Sequence, residues 1–263
     1  NPPDADVARA VVARATRTPV VAALIGLSGL SGLSGGGLSG GGAEGPVVTS
    51  TLEAGAAAAL GILGVSVPGD MAPLRAEVEA AGARLDDERT LVHGLFSGGT
   101  LCYESLDLLG RVLGEAVYSN TPLDKRHGLP APDGAHVCLD LGEEEFTQGR
   151  PHPMIDPEAR IERLREVGDR TDVAAVLLDV VLGYGAHEDP AGTLAPVCEE
   201  IIATGGPAIV TYVLGTDGDP QGLDAQRQRL RDAGCVVPPT AARAALAAAG
   251  LATRRPGLVD SLP

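Results

Sequence analysis

The segment Val173-Ala-Ala-Val-Leu-Leu-Asp-Val-Val181 is apolar at eight of its nine positions and shows no alternation. A strand with one wet face alternates apolar and polar side chains. This run therefore predicts a strand buried on both faces, as in a parallel sheet covered by helices on both sides. The surrounding chain agrees. Further strands are expected over 91–96, 136–141, 208–214 and 235–237, and helices over 99–110, 157–167, 221–233 and 241–249. Leu194, Val197, Cys198, Ile201 and Ile202 follow the spacing of one helical face. Five strand–helix repeats predict an α/β fold with a doubly wound, flavodoxin-like parallel sheet.

Ahead of this unit, residues 4–16 read as a helix, 19–25 as a short strand, 46–49 as a second strand and 51–63 as an Ala-rich helix capped by Thr51. Between them, 26–45 is a repetitive Gly/Ser/Leu tract and is expected to be a loop. The expected organisation is 1–64 as the end of a first α/β domain, 65–90 as a linker and helix, 91–250 as a second domain, and 251–263 as a tag-like tail. The chain opens at Asn1 in what reads as mid-fold sequence, so a preceding portion is expected.

Charge narrows the function. Twenty Lys and Arg stand against 35 Asp and Glu, and aromatics make up 2%. Nonspecific nucleic-acid binding runs on phosphate neutralisation, and single-strand grip on stacking, so neither class fits. Cys102, Cys138, Cys198 and Cys235 have no metal-type spacing and sit in apolar stretches, as small core residues do. No metal site is expected. No signal peptide or membrane-length apolar run is visible, and a cytoplasmic location is the expectation.

In an open parallel sheet, ligands bind beyond the carboxyl ends of the strands. Four loops qualify, starting at residues 97, 142, 182 and 215. Ser97-Gly98-Gly99-Thr100 is the most informative, because two glycines at a strand-to-helix turn expose backbone N–H groups to an anion. Ser97 is the natural cap of the helix, and Glu104 lies inside it. Arg150 is flanked by Gly149 and by Pro151-His152-Pro153, and its guanidinium suits a phosphate or carboxylate at the same turn. His152 and His187 are candidate acid–base groups. Glu143, Glu144 and Glu145 read as a solvated rim. Asp179, a charge inside an apolar strand, is either paired structurally or faces the crevice.

Leu95-Phe-Ser-Gly-Gly-Thr-Leu-Cys-Tyr-Glu104 resembles the helix opening of the α-type ligase domains of succinyl-CoA synthetases. The longer motifs, from Asp140 through Gly149-Arg-Pro-His-Pro-Met-Ile-Asp156 and from Leu178 through Gly183-Tyr-Gly-Ala-His187, resemble the FdrA branch of that acyl-CoA synthetase superfamily. The resemblance implies that a CoA-binding domain, absent from this chain, precedes two flavodoxin-like ligase domains. It implies transfer of an acyl or carbamoyl group with phosphate as partner, as in oxamate carbamoyltransferase, by a homodimer or with partner subunits. The synthetases carry phosphate on a histidine in a Gly-His-Ala-Gly loop. None of His93, His127, His136, His152 and His187 has that context, so no phosphohistidine is expected. Two alternatives remain: an acyl-CoA ligase working through CoA and nucleotide, and a non-catalytic dimerisation or regulatory module.

Overall fold

The apolar run expected to be doubly buried is a strand, β6 (Val173–Val181), and its first eight residues are buried. The structure, a computed structural model, describes residues 5–14, 19–26, 46–66 and 69–262. The chain divides into two units, Asn1–Gly69 and Asp70–Pro263.

In the first unit, α1 (Ala5–Val12), β1 (Val21–Ala23), β2 (Val47–Thr49) and α2 (Leu52–Ile62) are described. β1 and β2 pair in parallel, with Val21 opposite Val47. Thr51 caps α2 as expected, accepting from the Ala54 N–H at 3.1 Å. Ala8, Val12 and Val48 form its small core. The Gly/Ser/Leu tract falls at 27–45, outside the described residues.

The second unit contains α3 (Ala72–Gly82), β3 (Leu91–Phe96), α4 (Gly99–Leu113), β4 (Val117–Tyr118), β5 (His136–Asp140), α5 (Glu144–Thr147), α6 (Glu158–Gly168), β6, α7 (Pro190–Ala203), β7 (Ala208–Leu214), α8 (Leu223–Asp232) and α9 (Ala241–Ala252). The sheet runs β4-β5-β3-β6-β7, and every pairing is parallel. The strand expected at 235–237 reduces to one bridge, Val236 to Val210, beside β7. Counting that bridge and setting aside the two-residue β4, the order is flavodoxin-like. One apolar layer joins α3, α4 and α9 to the sheet, and a second joins α6, α7 and α8. The chain leaves the neighbouring strands β3 and β6 toward opposite layers, so their carboxyl ends form the topological switch point.

Two expected boundaries move. The helix expected between the two domains, α3, belongs to the second unit, because Leu74, Val78 and Ala81 bury against its core. The tail expected at 251–263 is built in. α9 runs to Ala252, and a 3₁₀ turn at Pro256–Asp260 carries Val259, fully buried. The buried Arg243 donates to the Val259 carbonyl at 2.7 Å, and Arg75 pairs with Asp260 at 2.9 Å. All twelve residues of α9 are buried, which suits an Ala-rich helix that lies between the sheet and other helices. The four cysteines are free and buried, and burial pushes the Cys138 thiol up to about 12. Among the described residues no helix is long and apolar enough to cross a membrane.

Candidate functional site

β3 delivers Ser97, Gly98 and Gly99 to the switch point. Ser97 does not cap α4. The cap position belongs to Gly98, in extended backbone, and no side chain bonds the first turn. Ser97 turns inward instead: its N–H and Oγ–H both donate to Asp179 Oδ1, at 2.8 and 2.9 Å. Arg160 of α6 reaches the same oxygen through Nη1 at 3.1 Å, and its Nη2 donates to the Asp179 carbonyl. Asp179 is 1% and Arg160 3% exposed, so this is a buried ion pair beneath the α4 turn. Burial lowers the Arg160 guanidinium from its ordinary value, and Asp179 acts in the opposite sense. Of the two roles left open for Asp179, the structure shows the paired, buried one. Its second oxygen, Oδ2, is buried without a hydrogen-bond partner and lies 3.5 Å from where a Cβ on Gly98 would stand.

With Ser97 turned away, the N–H groups of Gly98, Gly99 and Thr100 have no hydrogen-bond partner among the described residues. They are the donors that the sequence proposes for an anion. Gly99 keeps the turn close to β5: a Cβ there would stand 2.7 Å from Asp140 Oδ2 and displace that carboxylate. Asp140, the last residue of β5, is buried. Its Oδ1 accepts from the Gly142 N–H at 3.0 Å, and Asn120 brackets its backbone with two bonds of 3.0 Å. Burial raises the Asp140 carboxyl above the usual carboxylate value. The Gly142 N–H opposes, Glu143 and Asp179 add to the rise, and His152 opposes.

His152 closes this side. A Cβ on Gly142 would meet His152 Nε2 at 2.6 Å, the Ser97 carbonyl at 2.9 Å and Asp140 Oδ1 at 3.2 Å, so these groups converge on one glycine. His152 Nδ1 accepts from the Met154 N–H at 3.3 Å, which leaves Nε2 as the protonated nitrogen of the neutral ring. His187 is tied in through its backbone, its N–H donating to the Met154 carbonyl at 2.8 Å. Its Nδ1 accepts from the Asp189 N–H at 3.0 Å. The β5 and β6 loops thus form one wall.

Arg150 is not drawn into this cluster. It pairs with Glu162 at 3.2 Å, and both side chains are more than half exposed. Its expected bond to the 97–100 turn is not found among the described residues; its guanidinium goes to the exposed Glu162 of α6 instead. Glu143, Glu144 and Glu145 are exposed, as a solvated rim should be. Arg160, Asp140 and Asn120 were not singled out from sequence. Only Arg160 left a clear signal, because it lies on the apolar stripe of α6 with Leu164 and Val167, spaced four and seven residues on.

An uncharacterized protein, YahF of Escherichia coli (strain K12), is 42% identical over 172 residues, covering 63% of this chain and 33% of that protein. The chain thus spans about a third of the length of this relative. The model of the CoA-ligase family matches residues 95–251, which includes α4, the buried Asp179–Arg160 pair and the wall formed by the β5 and β6 loops. The chain belongs to the CoA-ligase family.

Proposed function

We propose that this chain is the ligase-type part of an FdrA-like protein that transfers an acyl or carbamoyl group with phosphate as partner and without a phosphohistidine. The observation that carries the reading is the uncapped α4 turn at the switch point, with three open N–H groups above a buried ion pair. A phosphate or carboxylate seated there accepts from those donors and gains from the helix dipole. Donors fixed before the reaction stabilise charge as it develops on the leaving phosphate. In carbamoyl transfer to oxamate, the amide nitrogen attacks the carbamoyl carbon. The carbon–oxygen bond to phosphate breaks, and the nitrogen releases a proton. Of the proposed acid–base groups, His152 converges with Asp140 on Gly142, and His187 serves the wall. Where CoA takes part, a separate domain of the kind the superfamily places ahead of its ligase domains holds it. No residue of this chain is assigned to CoA. The protein acts in the cytoplasm, as a homodimer or with partner subunits.

The test is transfer of label from carbon-labelled carbamoyl phosphate to oxamate, with partner subunits supplied. Labelled product with matching phosphate release is expected. A labelled nucleoside triphosphate should leave no acid-labile phosphate on the protein. Stoichiometric phosphohistidine would restore the nucleotide-driven ligase. A second reading, a regulatory or dimerisation module, is favoured by Arg150 pairing outward with Glu162. It requires that no acyl or carbamoyl phosphate be turned over under the same conditions.

A further inference from the structure

Two carboxylate oxygens lie close to the glycines of the proposed anion seat. Asp179 Oδ2 is buried, has no partner, and lies 3.5 Å from the Cβ position of Gly98. Asp140 Oδ2 lies 2.7 Å from the Cβ position of Gly99. The helix end offers donors, whereas these oxygens offer lone pairs. A fully deprotonated anion satisfies the first set and is repelled by the second. An anion that arrives with a proton satisfies both, because the shared O–H bridges ligand and carboxylate.

We propose that anions bind at Gly98, Gly99 and Thr100 together with one proton, and that Asp140 is the residue that holds this proton and delivers it to the ligand. The proposal rests on the anion seat described above, not on the transfer reaction. Asp140 is chosen over Asp179 by its partners. Asp179 is the counter-charge of Arg160 and also accepts two bonds from Ser97. Among the described residues, the Asp140 carboxylate accepts one N–H, from Gly142, and pairs with no Lys or Arg. The groups that face it are Asp179 of β6, Glu143 ahead of α5, His152 of the β5 loop, and Cys102 and Tyr103 of α4. Burial and the two neighbouring carboxylates already favour its protonated form, and an anion at Gly99 adds to the same side. In the delivery step the Asp140 O–H bond breaks and an O–H bond forms on the ligand oxygen. The negative charge returns to Asp140, so no other reactant is needed.

The experiment is calorimetric titration of sulfate, and separately of inorganic phosphate, into the full chain between about pH 6 and pH 8. Two buffers of different ionisation enthalpy are used at each pH. Sulfate brings no proton in this range, so any uptake belongs to the protein. The expected result is uptake approaching one proton per sulfate at the upper pH, with affinity falling about tenfold per pH unit there. Asp140→Asn keeps the Oδ1 acceptor for Gly142. It should bind sulfate at least as tightly, without proton uptake and without that pH dependence. Asp140→Ser should do the same, and thermal melting confirms that both are folded. Binding without uptake in the wild type, unchanged uptake in Asp140→Asn, or no binding of either anion would overturn the proposal. Carbamoyl transfer is assayed on the same preparations. Its absence alongside proton-coupled binding removes the transfer reading and leaves this one standing.

Discussion

α4 and α7 start at the same end of the sheet, after neighbouring strands, yet their first turns are built in opposite ways. Every N–H in the first turn of α7 is accounted for. Pro190 has none, Ala191 donates to Gln226 at 2.8 Å, and Gly192 donates to the Asp189 carboxylate at 3.1 Å. Asp189 is held in turn by Gln226 and Arg229. α4 has a glycine at its cap and no side-chain bond, and the hydroxyl of the preceding Ser97 is turned inward to Asp179. Open donors at a helix end lower stability unless something binds them. α7 is thus finished by its own side chains, while the first turn of α4 has no side-chain cap.

The sharpest way to break this comparison is to remove the floor beneath α4. Arg160→Leu strands the buried Asp179 charge. It should cost about 3–5 kcal/mol in urea denaturation, as loss of one partner of a buried pair does. A loss under about 1 kcal/mol would show that the pair does not support the turn.

The strand leading into α4 carries a control away from both helix ends. Burial and the Arg170 charge lower the His93 imidazole to about 4, partly opposed by Asp172, with His136 adding to the lowering. The folded value lies below the unfolded one, so this stability is complete above about pH 6.5. It is lost as pH falls toward about 4, by about 3 kcal/mol in total. Thermal melts across that window should flatten in His93→Leu. A slope that persists unchanged would place the acid sensitivity elsewhere.

Smaller effects separate the helices directly. Asp189→Ala removes the α7 cap and should cost about 1 kcal/mol, with little further loss from its half-exposed pair with Arg229. Phosphate binding at α4 should be unchanged, and a parallel loss would mean that the two turns share one ligand. Gly98→Ser has room, with no neighbour nearer than 3.4 Å to the new Cβ. It gives α4 a cap of its own, so stability should rise by only a few tenths of a kcal/mol. Phosphate affinity in calorimetry should fall about tenfold, because the hydroxyl takes a donor from the ligand. Equal affinity would show that those N–H groups are not the seat.

The layered α/β architecture was legible without coordinates. β3, β6 and β7 fall where the apolar runs put them, because a strand buried on both faces leaves no polar register to confuse its ends. The loops of the site were legible too, since a parallel sheet sends all its strand-to-helix turns to one edge. β4 was not, because two residues carry no period. Nor was the 3₁₀ turn after α9, whose order depends on Arg243 and Arg75 reaching it from elsewhere in the chain.

What the sequence could not decide was which side chains turn inward at that edge. Ser97 reads as a cap, yet its hydroxyl goes to a carboxylate 82 residues away. Arg150 reads as the anion's partner, yet it meets a surface glutamate 12 residues on. Arg160, 19 residues from Asp179, takes the buried place. Local pattern determined the elements, because periodicity and glycine act within a few residues. Tertiary structure decided the partners, because a buried charge pairs with whatever the strand order brings beside it, and that order is not written in any single segment.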